Sequence, residues 1–124
     1  MKHVFIALIL LTSSLMVAAQ KTAWKQMEDF HGVMSKSFHP AETGNLQPLK
    51  ENVDSLVLRA KAWQSSPIPA GYETKPLKPV LVKLVAECNA VKTAIMQKKN
   101  DVALKELITT AHETFHQVME ICND

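Results

Sequence analysis

The chain has 124 residues, 47% of them hydrophobic and 21% charged, with 14 Lys and Arg against 12 Asp and Glu for a formal net charge of +2. That length has the capacity of one domain, and the apolar content excludes a disordered chain. No basic run exceeds the pair Lys98-Lys99, so a nucleic-acid footprint is excluded.

Residues 1–19 read as a secretory signal peptide: Lys2 and His3 make a short polar start, Val4 to Leu11 an apolar run, and Val17-Ala18-Ala19 a small-residue cleavage site. The run is shorter than the ~20 residues that span a bilayer, so no stable membrane insertion is expected after cleavage. The expected mature protein is a single domain over 20–124, periplasmic or secreted, and near-neutral.

Helical periodicity dominates that domain. Met27, His31, Met34 and Phe38 trace one face of a first helix, predicted to end near residue 39 ahead of Pro40. Thr43-Gly44-Asn45 supplies a turn, with Asn45 as a cap and Pro48 in the first turn of a second helix along Leu49, Val53, Leu56, Ala60 and Trp63. A stiff loop, Ser65 to Tyr72, leads to a third helix near Pro76 and Pro79, whose stripe is Leu81, Leu84, Cys88, Val91 and Ile95. Asn100 is expected to stop that helix and Asp101 to cap the fourth, which carries Leu104, Ile108, Ala111, Phe115, Val118 and Cys122. The fold class expected is all-α, an up-down-up-down antiparallel four-helix bundle closed by packing the first helix on the fourth.

The histidines of the mature chain fall on those two helices alone: His31 and His39, then His112 and His116. Antiparallel helices keep level positions at a constant sum of residue numbers, which sets Met27 opposite His116 and His31 opposite His112. The positions i and i+4 share a face about 6 Å apart, so the four form a candidate quartet. His39 falls about 12 Å from His31 by helical rise and is not expected to share its ion.

His112-x-x-x-His116 is a spacing that chelates one metal ion through imidazole nitrogens, the commonest protein metal ligands. His31 as a third ligand with a thioether from Met27 or Met34 would suit copper, whereas Glu28 in place of Met would suit zinc or iron. Glu28-x-x-His31 and Glu113-x-x-His116 echo a di-iron carboxylate pattern, but Glu51 and Glu87 flank the apolar stripes of the middle helices rather than lying in them. Cys88 lies at the height of His112 and offers a thiolate, set against its ordinary role as a small buried hydrophobe. Cys122 is offset from Cys88 by roughly 16 Å of helical rise, too far for a bridge within one chain. It remains free to pair between chains and make a homodimer.

The bundle, its leader and the register His112-Glu113-Thr114-Phe115-His116 resemble the cytochrome c-prime and soluble b-type cytochrome superfamily over essentially the whole mature chain. His112 and Phe115 stand where the two cysteines of the haem attachment motif would be, so covalent haem is excluded, and Met119-Glu120 replaces the usual aromatic-Arg pair. His116 keeps the place of the axial histidine and Met27 that of the methionine with which b-type relatives hold haem. The resemblance implies either a non-covalent haem b between Met27 and His116, with electron transfer, or a Cu, Zn or Fe ion taken by the histidines. Phe30, Phe115 and Trp24 are bulky enough to fill the gap a haem needs, which favours the bare ion.

No Gly-x-Ser-x-Gly elbow and no glycine-rich phosphate loop occurs, so catalysis is not implied. The expected function is an exported metal-binding bundle with His31, His112 and His116 as principal ligands. Its rivals are the haem protein and a cofactor-free helical scaffold, in which Trp24 and Trp63 are either core residues or anchors for a partner.

Overall fold

A computed structural model of the protein describes residues 23–124; the leader read at residues 1–19 lies outside them. Four helices follow one another: α1 (Lys25–Glu42), α2 (Gln47–Ser65), α3 (Leu77–Met96) and α4 (Asp101–Asn123). No strand occurs among the described residues, and none of their helices is long and apolar enough to cross a membrane.

Each helix packs on its neighbours in chain order, and α4 returns to α1. The contacts fix the directions. Phe30, early in α1, meets Phe115, late in α4, with ring centroids 5.5 Å apart. Lys92, late in α3, pairs with Asp54, early in α2, at 3.0 Å. Lys75, just before α3, donates to the carbonyl of Ile121 at the end of α4. The arrangement is therefore up-down-up-down, and Lys50 to Asp101 at 3.6 Å joins the starts of α2 and α4, which run parallel across the diagonal.

The core follows the apolar stripes. Leu49, Leu56, Trp63, Leu84, Cys88, Val91, Leu104, Ile108 and Ala111 are fully buried. One end is aromatic: Trp24 meets Trp63 edge-on at 5.7 Å, Phe30 meets Trp63 at 5.5 Å, and Trp63 meets Phe115 at 5.9 Å. Both tryptophans are thus core residues, and the Trp24 indole donates to the Ser66 hydroxyl at 2.9 Å, satisfying the one polar atom it takes inside.

Three boundaries differ from the sequence expectation. Helix α1 runs through Pro40 to Glu42 rather than ending near 39. A proline ring already holds the helical φ, and within one turn of the end the lost N–H removes a single bond. The Pro40 carbonyl then accepts from the Thr43 and Asn45 amides, closing the turn in which Gly44 takes φ +91°. Asn45 acts from two residues before α2, ahead of the cap residue Leu46, accepting from the Gln47 amide at 3.2 Å, and Pro48 lies in the first turn as expected. Between α3 and α4, Lys98 takes the left-handed turn position at φ 55°, whereas Asn100 is the cap of α4, accepting from the Ala103 amide at 2.9 Å. Asp101 becomes the first residue of α4, where its charge complements the positive helix end.

The seam between α1 and α4 has the fewest close backbone approaches of the four. Phe30, Phe38, Phe115 and His112 meet across it, and side chains of that bulk hold helix axes apart.

Candidate functional site

The inward face of α4 buries Leu104, Ile108, Ala111, Thr114, Phe115 and Val118. His112 and His116 stand one turn apart on the edge of that face beside α1, His112 half-buried and His116 exposed. Their Nε2 atoms are 3.2 Å apart, with ring centroids at 4.4 Å and planes at 77°. The Phe38 ring lies flat on the His112 imidazole at 3.7 Å and 15°, so the end of α1 roofs His112 and leaves His116 exposed.

This roof sets the electrostatics. Burial holds the His112 pKa below its usual 6.5, and the neighbouring His116 pushes in the same direction. Glu42 and Glu113 offset part of this, while His39 adds to it. A half-buried imidazole kept neutral at pH 7 presents a lone pair, the form in which histidine takes a metal.

Two imidazole nitrogens at 3.2 Å have two uses. One N–H can donate to the other's lone pair, which requires opposite tautomers, or both lone pairs can address one ion. With metal–nitrogen bonds of about 2.0–2.1 Å, that separation subtends roughly 100° at the ion, near the tetrahedral angle. The pair therefore has the bite of a chelate. Among the described residues, no group of three or more His, Cys, Asp and Glu side chains is disposed to hold a metal ion.

The other sequence candidates lie elsewhere. His31 is exposed and packs its ring against Phe115 at 5.2 Å, not against His112. Glu28 is exposed on α1, Met27 is half-buried against the core, and Met34 is only 1% exposed inside it. Cys88 is buried on α3, and burial, helped by the charge of Glu87, pushes its thiol up to about 12, leaving no thiolate at neutral pH. Cys88 and Cys122 are both free, and burial also raises the Cys122 thiol, though the nearby Lys75 opposes it.

The expected pairing of His31 with His112 fails for a definite reason. Helical side chains lean toward the N-terminus of their own helix. Across an antiparallel pair the two leans add, so tips meet further toward the C-terminal end of α1 than a count of Cα levels places them. His112 consequently meets Phe38, seven positions beyond His31, about 10 Å of rise shared by two leaning side chains. The same lean brings His39 and Glu42 into the electrostatic surroundings of His112, although the level count set His39 aside. His39 Nδ1 and Glu42 Oε2 are 3.2 Å apart.

The interior between Met27 and His116 does not fit a porphyrin. Phe30, Phe115 and Trp63 fill it with ring centroids 5.5–5.9 Å apart, all at most 2% exposed, and a haem would have to displace them. The di-iron pattern has no inward carboxylate from α2, where Glu51 is exposed and accepts from the Gln47 side chain. Glu87 on α3 is instead held by the Thr114 hydroxyl, which donates to its Oε1, while its Oε2 is buried without a partner. An open groove of about 620 Å³ between α3 and α4, lined by Ala90, Ala94, Gln97, Ala103 and Leu107 among others, contains no histidine.

No family model, curated protein or solved structure matches this chain. The likeness to haem-binding bundles thus rests on single side chains of the chain itself, and what the site can do is argued from its own geometry.

Proposed function

We propose that the protein is an exported four-helix bundle that takes up a transition-metal ion through His112 and His116 at the seam between α1 and α4. Export rests on the pattern of residues 1–19. The metal reading rests on one observation: the two Nε2 atoms stand 3.2 Å apart, with His112 stacked on Phe38 and its pKa held below the usual 6.5. Imidazole donors suit Zn(II), Cu(II), Ni(II) and iron, and discriminate against Mg(II) and Ca(II), which prefer oxygen. Of the α1 thioether candidates, Met34 is buried in the core and Met27 packs against it, so neither argues for Cu(I). Two protein ligands leave coordination positions for water or for a donor from another molecule, an arrangement suited to carrying or handing on an ion.

Calorimetric titration of untagged protein with Zn(II) and Cu(II), together with elemental analysis of material purified from the export compartment, tests the reading. One ion per chain is expected, with binding abolished in His112→Ala and in His116→Ala and no heat from Mg(II) or Ca(II). Binding no tighter than millimolar, or binding that survives both substitutions, would overturn it and leave a cofactor-free scaffold.

A further inference from the structure

We infer that Phe38 is a positioning residue for the metal site: its ring fixes the plane of the His112 imidazole, so that Nε2 already faces Nε2 of His116 before an ion arrives. The inference rests on the proposed chelation by His112 and His116 and names what orients the half-buried member of that pair.

A histidine ring is poorly oriented by its own torsions, because rotation about the bond to the ring is broad and roughly two-fold. In metal sites the plane is ordinarily set by a hydrogen bond from the second ring nitrogen to a carboxylate, a carbonyl or water. His112 is held differently. Among the described residues the one hydrogen-bond partner of its ring is His116, through Nε2. Against its face lies Phe38, with planes 15° apart and centroids at 3.7 Å. Carbon atoms are in contact at about 3.5–4.0 Å, so turning the imidazole out of this plane drives its edge into the phenyl ring. The observed plane and its half-turn flip are what remain. The flip would put Cε1 where Nε2 now faces His116 at 3.2 Å, so the contact with His116 selects between the two.

Phe38 can serve as a fixed plate because it is only 6% exposed, anchored in the core on the α1 side of the seam. His116 stands exposed with its ring at 77° to that of His112, and its plane can adjust to an incoming ion. One ligand is thus set in advance by α1 and the other follows. This role is separate from drying the imidazole, since it acts on ring orientation at any pH.

Zn(II) titrations of the full chain at pH 8, above the ordinary imidazole value of 6.5, remove proton competition at His112 and compare the unchanged protein with Phe38→Leu and Phe38→Tyr. Phe38→Leu keeps apolar bulk without a flat face and should weaken binding about tenfold, the lower end of what orienting partners of a ligand contribute. Phe38→Tyr keeps the face and should restore affinity to within about twofold of the unchanged protein. In metal-free protein, proton NMR should show the His112 ring signals shifted upfield by the stacked ring in the unchanged chain and in Phe38→Tyr, and not in Phe38→Leu. A Phe38→Leu protein that binds as tightly as the unchanged one would overturn the inference and leave the chelate standing. So would a Phe38→Tyr protein as weak as Phe38→Leu, which would mark a loss of packing alone. An unchanged protein that binds no Zn(II) would overturn the chelate itself, and this inference with it.

Discussion

Phe38 links the packing of the bundle to the chemistry of its histidines, so replacing it should move both together. The side chain is 6% exposed and lies 3.7 Å, centroid to centroid, over the His112 ring. Truncation of a buried Phe to Ala costs about 3–5 kcal/mol. The low end applies here, because the space beside a half-buried imidazole opens to water rather than staying empty. Phe38→Leu keeps most of the apolar volume and loses the flat face, so about 1 kcal/mol is expected from the stacking alone. For a domain of this size that lowers Tm by roughly 4–8 °C, against roughly three times as much for Phe38→Ala. Burial is the largest cause of the depressed His112 pKa, so thinning the roof should raise it toward 6.5. Urea denaturation measures the first effect and an NMR pH titration of the His112 ring the second. A Phe38→Leu protein that loses stability while His112 titrates unchanged would refute the argument that this ring dries the imidazole.

The depressed pKa also fixes the sign of a pH effect. Between the folded value and 6.5 the unfolded chain binds more protons at His112 than the native one, so stability is complete above about pH 6.5 and falls as pH drops through the folded value. Denaturation curves from pH 5 to 8 should show this slope, reduced in His112→Gln. Thr114→Val removes the hydroxyl that donates to Glu87 Oε1 and leaves both carboxylate oxygens without a protein donor, which should cost about 1.5–3 kcal/mol in urea denaturation. The double variant Glu87→Leu, Thr114→Val should recover most of that loss. Asn100→Ala should cost about 1 kcal/mol by removing the α4 cap, whereas Asp101→Ala should cost only a few tenths.

The four helices were legible because their apolar stripes are long and periodic, and short turns at 43–46 and 97–100 leave consecutive helices no choice but to run antiparallel. Roles within the turns were less so: Asn100 and Asp101 are both good caps, and their order was decided by Lys98 taking the left-handed position. The His112 and His116 pair follows from i, i+4 spacing, a property of one helix. The partners from α1 depend on how two helices slide past each other, and a count of Cα heights ignored the lean of long side chains. That lean replaced His31 with Phe38 beside His112 and brought His39 and Glu42 near. Cys88 points inward, which makes it a core residue with a thiol near 12 rather than a ligand.

Nitrogen-15 spectra of the imidazole side chains during addition of Zn(II) near pH 7 address the two-histidine chelate most directly. The Nε2 resonances of His112 and His116 should move together, saturate at one ion per chain, and leave His31 in place. Spectra in which neither nitrogen responds, or in which His31 responds in place of either, would contradict the chelate at the α1–α4 seam.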